Sequence, residues 1–438
     1  MPPIAPARNC RPRVSAALLS RNNSDLPPLS SERLPTLDLL RGLAVLGIVA
    51  INVAGFAGPK LATLTPSLLS ATGPLPAPPA DETAFALLFL LVEGKMRALF
   101  TMLFGASMLL FIERMEAAGR NGMMLQARRL LWLGLFGYLH YVLLWWGDVL
   151  FVYALCGLIA LAFAAWPPRM LLLIGGMGFV GWALLGGLGD LPLVLAEEQA
   201  RLGAPPAHDV LQGWAESRSA AMQDSAQAML GFWPMAADKL RNAPFWPLVM
   251  AFASMGETLP LMLLGMALYR LGFWQGQWSR RALWVTALAG LVIGGAMAGG
   301  LLAWAWPRHF PALAMPSILA YWAGPEHLLM ALAYAAMLLL AAPSLVSHAL
   351  GQRLIAAGRM AFTNYIGTTL CLTALCYGWG AGLFGRIGHA QQLWLVLGVW
   401  VAMLAWSKPW LAHFRQGPLE WLWRSLVEFR ALPFRKNP

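Results

Sequence analysis

The feature that most constrains this chain is a series of apolar stretches about as long as a lipid bilayer is thick. A helix needs about 20 apolar residues to cross the hydrocarbon core. Of the 438 residues, 59% are hydrophobic and 12% are charged, which excludes a soluble globular domain. The sequence therefore predicts an all-α, polytopic membrane helix bundle of about ten transmembrane helices. The predicted spans lie near 39–57, 84–112, 130–146, 149–166, 170–189, 246–270, 282–306, 325–343, 360–384 and 391–406.

The positions of Lys and Arg predict how the chain is threaded. On the side of the N-terminus they number 22, and on the opposite side 7. Because cytoplasmic loops carry the excess of basic residues, we predict that both termini are cytoplasmic. The net charge of +11 is scattered over loops and tails, so the expected partner is the lipid bilayer and not nucleic acid.

The predicted spans divide the chain into one integral domain and two tails. We expect a flexible cytoplasmic tail at 1–36, a membrane domain at 37–425 and a cytoplasmic tail at 426–438. External loops are expected near 58–83 and 190–245, and residues 208–230 of the second are predicted to form an amphipathic helix. The four cysteines have no spacing typical of a zinc site or a disulfide framework, and no permanently bound cofactor or metal is expected.

Ionisable side chains at membrane depth mark candidate sites, since each costs about 2.5–3.5 kcal/mol to insert. In the first span, Asp38 and Arg41 are one helical turn apart and can pair, while Asn52 lies three turns deeper on the same broad face. Arg41 either binds a phosphate or anchors the helix at the interface. Asn52 either contacts a substrate or bonds to a neighbouring helix.

Three charges, Glu93, Lys95 and Arg97, interrupt the second apolar stretch. Gly94 favours a bend there, and irregular backbone at this depth is tolerated where it lines protein or a watery cavity. The alternative is that the first half of the stretch lies along the outer surface, which would leave these charges at the interface.

A histidine in the third span is the candidate general base. His140 lies in its outer half and Asp148 in the turn that follows. If one helix ran through both, eight residues would separate them by about 12 Å, so we expect no direct contact within a helix. His140 either acts as a base or is a hydrogen-bonded structural histidine. Asp148 either orients a substrate or caps the next helix at its N-terminus.

A fourth polar group is expected from the sixth and ninth spans. Glu257 must be protonated or paired, with Arg97 or Lys95 as partner, and the alternative to a role in a site is a buried structural pair. Pro260 predicts a local break in its helix. With Asn364, these groups are predicted to converge on an interior cavity.

Five segments carry a resemblance to a known family and run from about Arg33 to Arg424. On them, the sequence resembles the YeiB-like bacterial inner-membrane proteins, a family of unknown function. The segments are RLPTLDLLRGLAVLGIVAINV, LLVEGKMRALFTMLFGASMLLF, RRLLWLGLFGYLHYVLLWWGDVLFVYALCGL, GRMAFTNYIGTTLCLTALCYGWGAGLFG and SKPWLAHFRQGPLEWLWRSL.

The opening LDLLRG is also similar to that of a wider superfamily of transmembrane acyltransferases. This resemblance implies transfer of an acyl group from cytoplasmic acyl-CoA to a small-molecule or glycan acceptor. Arg41 would face the CoA phosphates, and His140 would deprotonate the acceptor. Polysaccharide O-acyltransferases have a histidine where this chain has Asn52, whereas the N-acetyltransferase branch also has asparagine.

Three functions remain open at this stage. An acyltransferase would use His140 as base, with Arg41, Lys95 or Arg97 contacting an anion. A transporter of a small metabolite would bind it at the interrupted spans around Glu257. In a non-catalytic assembly component, the polar groups would only join helices. The sequence does not indicate an oligomeric state.

Overall fold

The computed structural model describes residues 35–70 and 73–436, and most of these residues are helical. The predicted tail 1–36 lies outside the described residues except for its last two, which begin the first helix. The elements are α1 (Pro35–Ala57), β1 (Leu68–Ser70), β2 (Gly73–Leu75), α2 (Pro79–Leu91), α3 (Lys95–Ala117), α4 (Gly122–Leu143), α5 (Leu150–Leu161), α6 (Pro168–Arg201), α7 (His208–Ala228), α8 (Phe232–Asn242), α9 (Trp246–Arg270), α10 (Arg280–Ala289), α11 (Gly295–Ala305), α12 (Ala314–Ser317), α13 (Gly324–Leu345), α14 (Ala349–Arg359), α15 (Ala361–Cys376), α16 (His389–His413) and α17 (Pro418–Glu428).

Six helices of the described chain are long and apolar enough to cross a membrane: α1, α6, α9, the rod formed by α10 and α11, α13 and α16. They confirm the all-α membrane bundle. Each of the ten predicted spans coincides with helix, but α5 has 12 residues and α15 has 16. At about 1.5 Å per residue, those two helices are shorter than the hydrocarbon core.

Burial identifies the centre of the bundle and its lipid-facing rim. In the most apolar 18-residue window of α1, 72% of residues are buried, against 22% in α6, α16 and the α10–α11 rod. The first helix therefore lies at the centre of the bundle, where it packs against α3, α14, α15 and α16.

The two ends of the bundle differ. At the end where α1 begins, here called the terminal face, α17 packs against α4 and α15. There the Glu420 carboxylate accepts hydrogen bonds from the N–H groups of Phe362 and Thr363 at the start of α15, where a helix favours negative charge. At the other end, the cap face, the β1–β2 hairpin, α7 and α8 cover the bundle. The amphipathic helix expected at 208–230 is confirmed by α7.

The predicted bend at Gly94 is confirmed as a complete helix break. Helix α2 ends at Leu91, α3 begins at Lys95, and Gly94 between them has φ = +70°. A Cβ at this position would collide with the imidazole of His327 on α13. Glycine therefore serves two needs here, a left-handed backbone and the close approach of a neighbouring helix.

The break predicted at Pro260 is wrong. Helix α9 runs through it from Trp246 to Arg270 without interruption. The proline ring packs against Gly178 of α6, so the face that loses a backbone hydrogen bond is filled by a neighbouring helix.

A lysine is buried under the cap face, outside the membrane-spanning helices. Lys239 on α8 is 2% exposed, and its Nζ donates to the carbonyl oxygen of Tyr141 at 2.9 Å. Burial, together with the charge of Lys60, lowers the pKa of Lys239 to about 7, although Asp238 opposes this shift.

We expect Gly94→Ala to destabilise the protein much more than Gly119→Ala. Gly119 also has positive φ, but open space surrounds it. Both variants should lose about 1–2 kcal/mol from the left-handed backbone, and only Gly94→Ala should add the collision with His327, roughly 1–3 kcal/mol more. Thermal unfolding in detergent measures the difference. Equal losses would contradict the packing described.

The free energy of unfolding should rise with pH between about 7 and 10, where Lys239 is neutral in the folded protein and protonated in the unfolded chain. Unfolding then takes up a proton, so the slope from this residue approaches about 1.4 kcal/mol per pH unit. Denaturant titrations of the wild type and of Lys239→Met across this range test it. Parallel pH profiles of the two proteins would rule out this role for Lys239.

Candidate functional site

A buried histidine–aspartate pair lies near the cap-face end of α4. His140 Nδ1 is 2.8 Å from Asp148 Oδ1, and the side chains are 1% and 2% exposed. The sequence excluded this contact only within a single helix, and no single helix joins the two residues. Helix α4 ends at Leu143, and the following turn brings Asp148 back beside His140. Asp148 Oδ2 also accepts the N–H of Phe151 at 2.7 Å, which confirms its predicted capping role.

The second ring nitrogen of His140 meets a hydroxyl group. His140 Nε2 is 3.1 Å from Thr369 Oγ1 on α15. In a neutral imidazole that donates Nδ1–H to the Asp148 carboxylate, Nε2 carries the lone pair. Asp148 thereby fixes the orientation of the imidazole. The Thr369 hydroxyl that it faces has a second acceptor for its proton, the carbonyl oxygen of Tyr365 at 3.2 Å.

A narrow crevice between α1 and α15 opens beside this hydroxyl. Its cavity volume is about 10 Å³, room for about one water molecule, so an acyl group can enter only if the walls of the crevice move apart. It is lined by Val45, Ile48, Val49, Asn52, Phe56, Tyr365, Thr368 and Thr369. Within the described chain, the Asn52 carboxamide makes no hydrogen bond, so its donors and acceptor are free for a ligand.

An ionic cluster lies at the helix break. Arg97 is 3.2 Å from the Glu257 carboxylate and 3.7 Å from that of Glu93, as the sequence predicted for Glu257. The Arg97 side chain is 37% exposed, whereas those of Glu93 and Glu257 are 14% and 11% exposed. Arginine therefore presents the open surface of this cluster.

Tyr153 of α5 adjoins both polar groups. Its hydroxyl is 2.7 Å from Thr101 Oγ1, which in turn donates to the carbonyl oxygen of Arg97. Tyr153 packs in one apolar cluster with Tyr365, whose ring centroid is 5.1 Å from that of His140. Tyr153 and Tyr365 therefore belong to one apolar cluster that adjoins both the ionic cluster and the His140 pair.

Two residues predicted for the site lie elsewhere. Lys95 is fully buried and binds Glu326 at 2.7 Å and the carbonyl oxygen of Phe89 at 2.7 Å. Asn364 donates to Ala357 and Ser407 and accepts from the indole of Trp406. Their hydrogen bonds join helices, so neither faces the crevice.

The protein has two polar poles along α1. One is the His140–Asp148 pair with its crevice, and the other is a cluster of arginines at the terminal face. Arg41 binds Asp38 at 2.7 Å, as predicted, and Ser107 at 2.9 Å. The Arg129 guanidinium lies between the rings of Phe111 and Trp423, 4.0 and 4.7 Å from their centroids. Arg41 and Arg424 are close enough to act electrostatically on Arg129. Three arginines thus lie together at the terminal face, with Asp38 paired to Arg41 and Glu428 close enough to act electrostatically on Arg424.

Sequence reasoning missed several of these groups. Glu326 is an acid near the start of a predicted span, and the cost of charge at membrane depth could have singled it out. Thr369 carries no such signal, because a threonine in an apolar helix needs no partner outside its own backbone. In the described residues, no three His, Cys, Asp or Glu side chains are arranged to hold a metal ion.

Comparison with known proteins gives consistent matches. A family described as "Protein of unknown function (DUF418)" matches residues 268–430. "Uncharacterized protein YeiB" of Escherichia coli is 32% identical over 403 residues, covering 90% of this chain and 96% of that protein. "Uncharacterized protein YxaH" of Bacillus subtilis is 30% identical over 422 residues, covering 94% and 98%. No solved structure matches.

The Lys95–Glu326 pair should behave as one unit in a double-mutant cycle. Lys95→Met alone leaves Glu326 buried without its cation, which should cost about 3–5 kcal/mol. Combining it with Glu326→Leu should cost less than the sum of the two single changes, because no unpaired charge remains. Unfolding in detergent measures each variant. Strict additivity would show that the two side chains do not interact in the folded protein.

Proposed function

Since this chain belongs to the YeiB-like family of membrane proteins, whose members include YeiB and YxaH and whose DUF418 domain has no known activity, we propose its function from its own geometry. It is a membrane-bound acyltransferase that takes an acyl group from acyl-CoA and passes it to a hydroxyl or amine of a small molecule or glycan. His140 is the general base.

The observation that carries this proposal is the His140–Asp148 pair, whose second ring nitrogen, Nε2, faces the Thr369 hydroxyl at 3.1 Å. A carboxylate that holds Nδ1–H keeps the imidazole in the tautomer able to accept a proton at Nε2, and it stabilises the imidazolium that forms. Buried structural histidines also bond at both nitrogens, but this one meets a hydroxyl that lines a crevice. The Asn52 carboxamide in the same crevice supplies a donor for the oxyanion of a reacting thioester.

The spacing of the two poles supports acyl-CoA as the donor. Arg41 and Asn52 are eleven residues apart on α1, a rise of about 16 Å. A donor that reaches both needs anionic groups at one end, a reactive acyl group at the other, and a long narrow arm between them. Acyl-CoA has that form. Its phosphates would meet Arg41 and the neighbouring Arg129 and Arg424, since guanidinium groups bind phosphate by paired hydrogen bonds.

The distribution of Lys and Arg supports an assignment of donor and acceptor to opposite sides of the membrane. With 22 of the basic residues on the side of the termini and 7 on the other, the terminal face is cytoplasmic in a bacterial inner membrane. The donor enters there from the cytoplasm. The acceptor approaches from the cap face, nearer to which His140 lies.

One observation favours a transporter as a second candidate. Arg97 is partly open at a helix break in membrane-embedded protein and is held between two carboxylates. Broken helices in secondary transporters bind their substrates in such places. A transporter would depend on Glu257 and not on His140.

Acetyl-CoA should raise the melting temperature of the detergent-purified protein, because a ligand at 100 times its Kd stabilises by about 2.7 kcal/mol. Arg41→Ala should lose this shift, whereas Arg280→Ala, which removes an exposed arginine, should keep it. His140→Ala should keep the shift but slow thiol release from acetyl-CoA by at least about 100-fold. His208→Ala, at an exposed histidine, is its matched control.

Two outcomes would contradict the acyltransferase. The first is folded protein that acetyl-CoA and longer acyl-CoA thioesters do not stabilise. The second is thiol release that His140→Ala leaves unchanged. If Glu257→Gln abolished uptake of a metabolite by intact cells while His140→Ala did not, the transporter would replace it.

A further inference from the structure

Thr369 has the contacts of a nucleophile and not only of a helix-packing residue. Its hydroxyl is 3.1 Å from His140 Nε2, and His140 Nδ1 is 2.8 Å from Asp148. The order hydroxyl, imidazole, carboxylate is that of a hydrolase triad, which is recognised by geometry and not by sequence position. Thr369 is 1% exposed as a residue, yet its side of α15 lines the crevice.

The alternative role for this hydroxyl is a bond to its own helix. Thr369 Oγ1 also lies 3.2 Å from the carbonyl oxygen of Tyr365, one turn back, which is how threonine usually satisfies itself in a helix. A hydroxyl has a single proton to donate. The lone pair at His140 Nε2 and the Tyr365 carbonyl therefore compete for it, and the imidazole is the better proton acceptor when the hydroxyl attacks a carbonyl carbon.

The neighbour in sequence provides an internal comparison. Thr368 lines the same crevice, but none of its contacts is a hydrogen bond to His140. Thr373, one turn further along α15, donates only to backbone carbonyl oxygens of its own helix. Of the hydroxyl groups on this helix, that of Thr369 meets the imidazole.

We infer that Thr369 is the nucleophile of a two-step transfer in which the acyl group rests on its hydroxyl as an ester. This rests on the proposed acyltransferase function. In the first step, Oγ1 attacks the thioester carbonyl carbon and its proton passes to His140 Nε2. The carbon–sulfur bond then breaks, and the CoA thiolate leaves with that proton.

The second step reverses the roles. The acceptor hydroxyl or amine gives its proton to Nε2 and attacks the ester carbonyl carbon. The bond from that carbon to Oγ1 breaks, and Thr369 regains its proton from the imidazolium. Asn52 binds the oxyanion in both steps, and no other reactant is required. Donor and acceptor therefore never need to occupy the narrow crevice together.

The test is acetylation of the purified protein by acetyl-CoA, and separately by p-nitrophenyl acetate, with an acid quench before any acceptor is added. Peptide mass spectrometry should find one acetyl group on Thr369. Thr369→Val should lower this labelling at least about 100-fold. Thr369→Ser should retain it, with the acetyl group on the introduced serine. Thr373→Val should remain within about twofold of wild type, since its hydroxyl lies outside the triad and the crevice and bonds only to backbone carbonyl oxygens of its own helix.

The outcomes separate this inference from the function on which it rests. If thiol is released and acetyl reaches an acceptor at an unchanged rate in Thr369→Val, with no ester trapped, the nucleophile is overturned and the acyltransferase stands. An ester formed from p-nitrophenyl acetate but not from acetyl-CoA supports the nucleophile and rejects the donor. Folded wild-type protein that neither reagent labels overturns the nucleophile. Melting temperatures of the variants establish folding, and the serine variant decides the case if the valine variant does not fold.

Discussion

The architecture depends on the requirement that a charge at membrane depth find its partner inside the protein. Unpaired, such a group is costly, and this chain has several near one helix break. From the first turn of α3, directly after the break, Lys95 binds Glu326 of α13 and Arg97 binds Glu257 of α9. The two ion pairs join α3 to α13 and to α9 and so fix the rotation of α3 about its own axis. In that orientation its charged side chains face protein and not lipid.

The same requirement explains what the sequence could predict. Apolar length and charge at depth identified the helical membrane bundle, the break at Gly94, and the pairing of Arg97 with Glu257 and of Arg41 with Asp38. Each follows from a free-energy cost tied to one residue type, such as a charge at membrane depth. The residue alone is therefore enough to predict that a partner or a helix break is needed. Apolar length also placed a helix at every predicted span, although α5 and α15 are shorter than a bilayer and only packing against neighbours shows how they fit.

The misses have physical reasons as well. His140 and Asp148 meet because α4 ends at Leu143, and helix ends are the least predictable part of a helix. Pro260 does not break α9, because glycine in α6 leaves room for its ring. Asn364 forms hydrogen bonds with three residues of neighbouring helices. The sequence alone does not show whether an amide at membrane depth bonds to a ligand or to another helix. Thr369 was missed because its role depends on which side chain of α4 lies opposite it, and the sequence alone does not show that this side chain is His140.

The arginine cluster is completed by a helix that is synthesised after the helices it packs against. Arg129 is held against the indole of Trp423, a residue of α17, the last helix of the described chain. Glu420 of the same helix caps α15, which carries Thr369 and Tyr365. Because synthesis proceeds from the N-terminus, α1 to α14 are made before α15 and α17 can pack against them. Until α17 has packed, neither the Trp423 ring beside Arg129 nor the Glu420 cap of α15 is in place. Packing of this one amphipathic helix at the terminal face therefore completes the arginine cluster and fixes the start of the helix that carries Thr369.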